Sequence, residues 1–404
     1  MIAWSLKIRG QQPIGLDIGH NSIKMIQLLI NEGQISVIAA DETRIDAGVK
    51  SDEQSRRSFI ISAIKRMLTN GGFLGRNVVS CIPSDKLRIT SVRLAEAERY
   101  DIEQALRREI AQRFGLDPDK DSMDYMVAGS VRQGDEVKNE LILFATDNET
   151  IKDHIATLEQ ADLRPIAIDT IPCALFRSFE RSLRRQEDRD RTSVFVNVGS
   201  CFTTVVFGRG GEISFIKQIQ IGGQKFTHEI AAKLGINVAE AEVLQEALRV
   251  YPELLSPATD MSEQASAENL QNNNIDMSTR QAMVDAVSAV AENLVKEISL
   301  CLRYYTVTFR GKRVERAVFA GGGAYEDILL NILKRKLAVE IELAQPLRGL
   351  DLSSARIKVD FDSYRRGLFC DWAVAVGLGL KGWNKITDDK RQAKYALQGY
   401  YERN

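Results

Sequence analysis

Residues 14–21 read Ile14-Gly15-Leu16-Asp17-Ile18-Gly19-His20-Asn21. This apolar run ends in a polar, glycine-containing turn, and a second β-like run, 23–30, follows directly, which is typical of a β-hairpin. The same order returns about 180 residues later, where 194–199 leads through 200–201 into 202–207. This spacing is far longer than the period of solenoid repeats, and it indicates two copies of one unit. The sequence therefore predicts an α/β protein with a duplicated, two-lobed architecture.

The composition excludes several classes of protein. The chain has 404 residues, 44% hydrophobic and 27% charged, which is typical of a globular protein of two or three domains. Its 54 Lys and Arg balance 55 Asp and Glu, so there is no cationic excess for binding nucleic acid. No apolar run reaches the ~20 residues of a membrane span and no secretory signal is evident, so we expect a cytoplasmic protein. Five scattered cysteines and three histidines predict neither a disulfide framework nor a zinc site.

The segment between the two repeats predicts an insertion. From residue 88 to Asp169 the pattern is strand, helix, strand, strand, helix, strand, which resembles a split βαβ unit. Its clearest helix, 102–114, has an apolar residue at every fourth position. The predicted divisions are a first part of lobe I (1–87), an inserted α+β subdomain (88–160), the rest of lobe I with a connection (161–192), lobe II with a return to lobe I (193–382) and a charged tail (383–404).

Other segments of lobe II have simpler predictions. A helix is expected from Thr227 to Leu234, with Thr227 as its N-cap. A charged connection at 184–191 precedes lobe II, and a polar excursion without its own core is expected at 252–279. A long helix, 280–305, follows that excursion.

The two glycine turns are the first candidates for chemistry. A tight turn with glycine exposes adjacent backbone N–H groups, which form a nest for phosphate oxygens. Two nests facing each other across a cleft can clamp a polyphosphate, and Asp17 at its strand end is placed to hold Mg²⁺ directly or through water. One such turn alone is more often an ordinary hairpin, but the repetition favours a site.

A glycine triplet, Gly321-Gly322-Gly323, joins a predicted strand to a predicted helix. Glycine there lets the backbone approach a flat ligand such as a purine, although a tight strand-to-helix turn explains it equally well. Neither the P-loop pattern nor the dinucleotide fingerprint occurs in the sequence. A nucleotide site of another kind is therefore predicted.

These motifs, taken in order, resemble those of the actin-like ATPases. The matching segments are Gly15–Gly19 with Ser22 and Lys24, Val196–Gly199 with Thr203, Ile221–Gly223 with Phe226 and Thr227, and Ala320–Ala324, which look like the phosphate-1, phosphate-2 and adenosine motifs. Within the superfamily the chain is most similar to the PilM family of type IV pilus assembly, from about Ile14 to Trp383. Its fold would then be actin-like, a duplicated ribonuclease H-like fold with an inserted subdomain.

The resemblance implies ATP and Mg²⁺ in the cleft between the lobes. The residues that it assigns to the nucleotide are Gly19, His20, Asn21, Ser22, Lys24, Gly199, Ser200, Cys201, Thr203, Gly222, Gly223, Lys225, Glu297, Gly321, Gly322 and Gly323. It assigns Asp17 and Asn197 to the metal. As partner it implies the cytoplasmic N-terminal peptide of the membrane protein PilN, bound in a groove beside the insertion. That partner would place the chain at the inner face of the inner membrane, and self-association is left open.

Two positions depart from the superfamily's pattern. Asn197 stands where an Asp is usual, and Pro172 stands in the helix where hydrolases often have Gln or Glu. An amide carries no charge and proline offers no side-chain hydrogen bond, so we expect nucleotide binding with slow or absent hydrolysis and name no catalytic residue.

Two alternative functions remain at this stage. An FtsA-like division protein would attach to membranes through an amphipathic helix, but the tail mixes both charge signs without a strong apolar face. A small-molecule kinase needs a carboxylate base, and Asp169 is a weak candidate because a strand-end Asp is more often a cap.

Overall fold

The computed structural model describes residues 10–46, 48, 52–95, 102–133, 136–181, 191–250, 276–309, 313–359, 365 and 367–381. These ranges contain both repeated hairpins, most of the insertion and the glycine triplet. Nearly all of the predicted connection (184–191) and excursion (252–279), and all of the charged tail (383–404), lie outside them.

The secondary structure alternates between sheets and helices along the chain. The strands are β1 (Gln11–Ile18), β2 (Ser22–Asn31), β3 (Gln34–Arg44), β4 (Asn77–Cys81), β5 (Arg88–Ala95), β6 (Ser122–Gln133), β7 (Glu136–Thr146), β8 (Arg164–Asp169), β9 (Thr192–Val198), β10 (Thr203–Arg209), β11 (Glu212–Ile219), β12 (Val314–Ala320), β13 (Glu340–Leu343) and β14 (Arg356–Lys358). The α-helices are α1 (Glu53–Asn70), α2 (Ile102–Phe114), α3 (Asn148–Gln160), α4 (Ile171–Glu180), α5 (Gly223–Leu234), α6 (Val238–Val250), α7 (Met277–Thr308), α8 (Asp327–Lys336) and α9 (Ala373–Gly379). Short 3₁₀ turns lie at Gly322–Tyr325 and Cys370–Trp372.

Two sheets of the same connectivity form the two lobes. The strand order is β14-β3-β2-β1-β4-β8 in lobe I and β11-β10-β9-β12-β13 in lobe II. In each sheet the first strand pairs antiparallel with its hairpin partner and parallel with a strand that follows a helix. This shared topology confirms the predicted two-lobed α/β fold with an internal duplication.

Both central strands are covered on their two faces. Leu16 of β1 and Val194, Phe195 and Val196 of β9 are 0% exposed. Because neighbouring side chains on a strand point to opposite faces, a run of buried residues means that helices or a second sheet cover both sides. That is why these strands appear in the sequence as continuous apolar runs rather than as alternating ones.

The insertion contributes a third sheet with the order β5-β7-β6. Leu106 and Ile110 of α2 pack on one face of it, against Leu141 and Leu143. The predicted split βαβ unit is wrong in its last strand, because β8 pairs parallel with β4 in lobe I and α3 contacts α1. The predicted divisions assign 161–192, which contains β8, to lobe I, so the two predictions from the sequence disagree at this strand.

The end of the described chain returns to lobe I. β14 pairs with β3, and α9 packs against α4 and β1. The packing of α9 is very close, since a Cβ on Gly377 would lie 1.8 Å from the Ala174 carbonyl oxygen. None of the described helices has the length and apolar character that crossing a bilayer requires.

The start of α5 differs from the prediction. The helix begins at Gly223 with Gly222 as N-cap, so Thr227 is inside the helix and does not cap it. The Thr227 hydroxyl instead donates to Oε1 of Gln245 at 2.6 Å. Glycine at the N-cap allows the backbone to pass close to β9 and β10, because a Cβ on Gly222 would lie 2.5 Å from the Ser200 carbonyl oxygen.

Candidate functional site

A cleft of about 1300 Å³ lies between the two lobes. Both hairpin turns, the start of α5 and the glycine triplet line it. The predicted site residues that the structure brings together there are Asp17, Gly19, His20, Asn21, Ser22, Lys24, Asn197, Gly199, Ser200, Cys201, Gly223, Gly321, Gly322 and Gly323. Residues from distant parts of the sequence thus meet in one cavity.

The two hairpin turns have the same backbone geometry. The Gly19 N–H donates to the Ser22 carbonyl at 2.9 Å, and the Gly199 N–H donates to the Phe202 carbonyl at 3.0 Å. A Cβ on either glycine would crowd that same carbonyl oxygen, at 2.9 and 3.0 Å. The repeated glycine is therefore explained by one local turn formed twice.

The turns face each other across the cleft. Nε2 of Gln224, at the start of α5, lies 2.6 Å from Nε2 of His20, and the Ser200 hydroxyl donates to Oδ1 of Asn21 at 3.4 Å. The Cys201 thiol donates to Oε1 of Gln224 at 3.1 Å. Gln224 was missed by the sequence reasoning, although it directly follows the glycine pair that motivated the site.

The glycine triplet forms one wall of the cleft. Gly321 has φ +85°, a left-handed conformation, and its Cβ would lie 2.4 Å from the Val198 carbonyl oxygen. A Cβ on Gly323 would lie 2.3 Å from Val198 Cγ1, whereas a Cβ on Gly322 would meet no atom within 4 Å. Two glycines therefore hold the turn against β9, and Gly322 leaves open space on the cleft side.

A buried charge network lies at the floor of the cleft. Lys24 Nζ is 3.2 Å from Asp371 Oδ2 and 3.4 Å from Glu42 Oε1, and it donates to the Ser22 hydroxyl at 2.6 Å. Arg365 Nη2 contacts Glu42 at 2.6 Å and Asp371 at 3.5 Å. Sequence reasoning identified Lys24 and Ser22 but missed Glu42, Asp371 and Arg365. Asp371 and Arg365 are more than 300 residues away from Lys24 in the sequence.

Asp17 lies beside this network with an altered acidity. Burial raises the pKa of its carboxyl to about 6, against the opposing attraction of Lys24. A bound cation would reverse that penalty, because positive charge favours the carboxylate. Asp17 is thus placed to bind a cation, which would stabilise the charged carboxylate that burial disfavours.

The residues fit a magnesium–nucleotide complex better than a free metal ion. Within the described ranges no group of three or more His, Cys, Asp or Glu side chains is arranged to hold a metal. Mg²⁺ commonly takes only one or two protein carboxylates and completes its shell with phosphate oxygens and water. Asp17 and Asn197 can supply that small protein share, and the turn amides can receive the phosphates.

Four of the predicted residues do not line the cleft. Thr203 is buried, and its hydroxyl donates to the Ile221 carbonyl at 2.7 Å. Gly222 is the N-cap of α5, and Lys225 is exposed on that helix. Glu297 is on α7 near Cys301, where its charge helps to raise the thiol pKa.

The wall formed by lobe II contains polar residues that no motif indicated. Gln245 Nε2 donates to Glu326 Oε1 at 2.6 Å, and Arg249 Nε donates to the same oxygen at 2.6 Å. Gln245 and Arg249 line the cleft, together with Glu242 and Glu246 of the same helix. The polar face of α6 could have indicated these residues in the sequence. It is hard to recognise there because a polar segment, 252–279, follows closely.

Two further polar groups of lobe I have structural partners. His154 Nε2 is 3.1 Å from the Ser80 hydroxyl, and burial lowers the pKa of the imidazole to about 4, so the ring is neutral at neutral pH. Asp169 pairs with Arg177 at 2.9 Å and with Lys381 at 3.2 Å and does not line the cleft. Because Asp169 is engaged in these ion pairs away from the cleft, the kinase alternative loses its candidate residue.

Comparison with known proteins identifies the family. The sequence model of the family described as "Type IV pilus assembly protein PilM" matches residues 15–257 and 260–383. The chain belongs to the PilM family. The match covers both hairpins, the insertion and the glycine triplet, so the PilM assignment rests on the same segments that form the cleft.

Solved structures and a curated relative are also similar to this PilM-family chain. The structure of a PilM–PilN type IV pilus biogenesis complex is 19% identical, with a TM-score of 0.70 over 92% of this chain and 98% of that one. The ethanolamine utilization protein EutJ from Carboxydothermus hydrogenoformans is 12% identical, with a TM-score of 0.49 over 92% and 89% of the two chains. The first likeness confirms the actin-like fold.

The cell division protein FtsA of Streptococcus pneumoniae is 21% identical over 269 residues. The match spans 61% of the PilM-family chain and 58% of FtsA, so it leaves a large part of each protein uncovered. Together with the PilM family match over nearly the whole chain, this makes the FtsA-like alternative the weaker one.

Proposed function

We propose that the chain binds ATP with Mg²⁺ in the interlobe cleft. The observation that carries the proposal is the pair of identical glycine turns facing each other beside a third glycine turn. In this arrangement the amides around Gly19 and Gly199 receive phosphate oxygens, and Gly322 leaves room for the base. Mg²⁺ supplies charge neutralisation of the phosphates, with Asp17 and Asn197 as its protein ligands.

Hydrolysis is proposed to be slow or absent. Asn197 is neutral, and Pro172 at the start of α4 offers no group that can orient water. His154 is neutral and bonded to Ser80, which leaves it without a role as acid near neutral pH. The cleft is therefore a binding site whose occupancy holds the lobes together.

The nucleotide site is tested by Gly322→Leu. A Cβ there meets no atom within 4 Å and Gly322 lines the cleft, so the variant should fold while losing at least a hundredfold in affinity for a fluorescent ATP analogue with Mg²⁺. Gly48→Leu is the matched control, since its Cβ also meets nothing within 4 Å and Gly48 does not line the cleft. Undetectable binding to the unmodified chain, or equal affinity in both variants, contradicts the proposal.

We also propose that the partner is the cytoplasmic N-terminal peptide of PilN, a proposal supported by the similarity of this chain to a PilM–PilN complex. The candidate surface is the outer part of the third sheet, where β6 is an edge strand. Tyr125 and Val127 of β6 are 40% and 58% exposed there. An extended peptide can pair with such an edge and place its side chains over the apolar positions. Binding a membrane protein would hold this cytoplasmic chain at the inner membrane.

The insertion also contacts lobe II, which offers a link between peptide and nucleotide. Arg93 of β5 donates to the Tyr304 hydroxyl of α7 at 3.1 Å, and its Nε contacts the buried Glu140 at 2.7 Å. A change in the angle between the lobes must move this contact. Nucleotide and peptide then each favour the same closed arrangement, and each raises the affinity of the other.

The peptide site is tested by Val127→Asp. We expect at least a tenfold loss of affinity for a synthetic peptide of the PilN N-terminus, because a charge replaces an exposed apolar contact. Val243→Asp, at a 69% exposed valine of α6, is the control and should bind as the unmodified chain does. Calorimetry with and without ATP tests the coupling. Equal peptide affinity with and without ATP would contradict the coupling. Equal peptide affinity of the Val127→Asp and Val243→Asp variants would contradict the β6 site.

A further inference from the structure

A second cavity, of about 1010 Å³, lies between the lobes and shares no lining residue with the nucleotide cleft. Lobe I contributes the tip of the β2–β3 hairpin and the end of α4 to it. Lobe II contributes β13, part of α8 and the loop after β13. No function proposed above uses this cavity.

The base of the cavity is apolar and includes one polar group without a partner. Phe179, Phe195 and Val318 line it and are 7%, 0% and 6% exposed. Ser178 also lines the cavity, and its buried hydroxyl has no hydrogen-bond partner among the described residues. A buried hydroxyl without a partner costs free energy, and a ligand that reaches it removes that cost.

One side of the cavity is the edge of the lobe II sheet. β13 is the last strand in the order, and it pairs with β12 on one side only within the described chain. Ile341 and Leu343 of β13 line the cavity. The outer backbone groups of an edge strand can pair with an added strand, which makes this side suited to an extended peptide.

The rim of the cavity carries a positive excess. Lys334 of α8 and Arg348 are exposed, and neither forms an ion pair with any residue that the structure describes. Arg316 also lines the cavity and is 3.9 Å from Glu342, the one carboxylate of the lining. Basic groups above an apolar base favour a ligand that combines apolar side chains with carboxylates.

We propose that this cavity docks an extended segment of a partner protein in which bulky apolar residues alternate with acidic ones. The segment adds to the edge of β13, its apolar side chains enter the cavity, and its carboxylates meet Lys334 and Arg348. Alternation follows from strand geometry, since every second side chain points to the same face. The inference goes beyond the proposed function and does not depend on it.

The test uses a fluorescein-labelled peptide of nine residues in which isoleucine or phenylalanine alternates with aspartate or glutamate. Fluorescence anisotropy with the full chain should show saturable binding, and the same peptide with lysine in place of every acid should bind at least tenfold more weakly. The double variant Lys334→Glu with Arg348→Glu should prefer the lysine peptide, because the charge of the rim is reversed. The variant should fold normally, because both replaced side chains are exposed. Arg335→Glu, at an exposed α8 residue that does not line the cavity, should leave it unchanged.

Hydrogen exchange locates the peptide independently. Backbone amides of 340–343 should become at least fivefold slower to exchange when the acidic peptide is bound, because strand addition protects them. No saturable binding, no effect of the charge reversal, or protection only outside β13 each overturns the proposal. The ATP affinity of the double variant is measured alongside and should equal that of the unmodified chain, so a failed nucleotide site and a failed docking site give different results.

Discussion

Lys24→Met is expected to lower the free energy of unfolding by about 4 kcal/mol at pH 8. The methionine fills a similar volume but removes the ammonium from between Asp371 and Glu42, which lie 3.2 and 3.4 Å from Nζ. The buried carboxylates then keep Arg365 as a cationic partner, and Asp371 keeps the hydrogen bond from the Tyr325 hydroxyl. Removing one partner of a buried ionic cluster is costly because the remaining charge stays desolvated.

The loss should depend on pH. Burial favours the neutral form of Asp371, but Lys24 and Arg365 hold the pKa of its carboxyl below its ordinary value. Without Lys24 the pKa of Asp371 rises in the folded state only, because the attraction of the ammonium is lost. A raised folded-state pKa gives stability that is lost as pH increases, so the variant is penalised most at pH 8 and less at pH 5. Urea unfolding at both pH values, followed by circular dichroism, measures the difference.

Asp17→Asn is the matched control at the same site. Burial raises the folded-state pKa of Asp17 to about 6, above the ordinary value of an aspartate, so the stabilising effect of its protonated form is lost as pH rises through 6. Asparagine stays neutral throughout. The asparagine variant should therefore have an unfolding free energy about 2 kcal/mol higher at pH 8, and this gain should disappear near pH 4. The gain is limited because part of Asp17 is open to the cleft. Equal destabilisation by the two variants would contradict this account of the charges.

The duplicated fold was predictable because one local pattern occurs twice. The apolar run, glycine and polar turn at 14–21 and at 194–201 depend only on neighbouring residues, so they are visible in the sequence. The same holds for Gly321, whose left-handed conformation requires glycine. The sequence left the placement of β8 ambiguous, since that strand was predicted both as the end of the split βαβ unit and within the 161–192 part of lobe I. The pairing of two distant strands is decided by burial in the complete fold.

The polar floor and walls of the cleft were not predictable for a related reason. Glu42, Arg365 and Asp371 are ordinary charged residues in the sequence. Glu42 faces Lys24 across the β2–β3 pair, whereas only the return of the chain to lobe I brings Arg365 and Asp371 to this cluster. Glu297 was predicted to bind the nucleotide but does not line the cleft. Its position on a helix does not by itself indicate which neighbour its side chain faces. Thr227 looked like a cap, yet tertiary contact with Gln245 explains it better.

Gly377→Ala is expected to lower the unfolding free energy by about 3 kcal/mol, because the added methyl group has no space. Its Cβ would lie 1.8 Å from the Ala174 carbonyl oxygen and 2.5 Å from the carbonyl carbon, which are backbone atoms and cannot rotate away. The helices α9 and α4 must then separate. The Gly377 carbonyl would also move away from Arg177, which donates to it at 2.9 Å.

Separation of these helices should reach the cleft as well as the core. α9 packs on β1, where a Cβ on Gly15 would lie 2.3 Å from the Ala375 carbonyl oxygen, and β1 carries Asp17 to the cleft. Gly379→Ala is the control on the same helix, because its Cβ would lie no closer than 3.5 Å to the nearest side-chain atoms, those of Leu28 and Ile26, which is ordinary contact. That variant should stay within about 1 kcal/mol of the unmodified chain. Urea unfolding and the soluble yield of both variants decide the matter, since equal stability of the two would mean that α9 and α4 do not pack as closely as the backbone positions require.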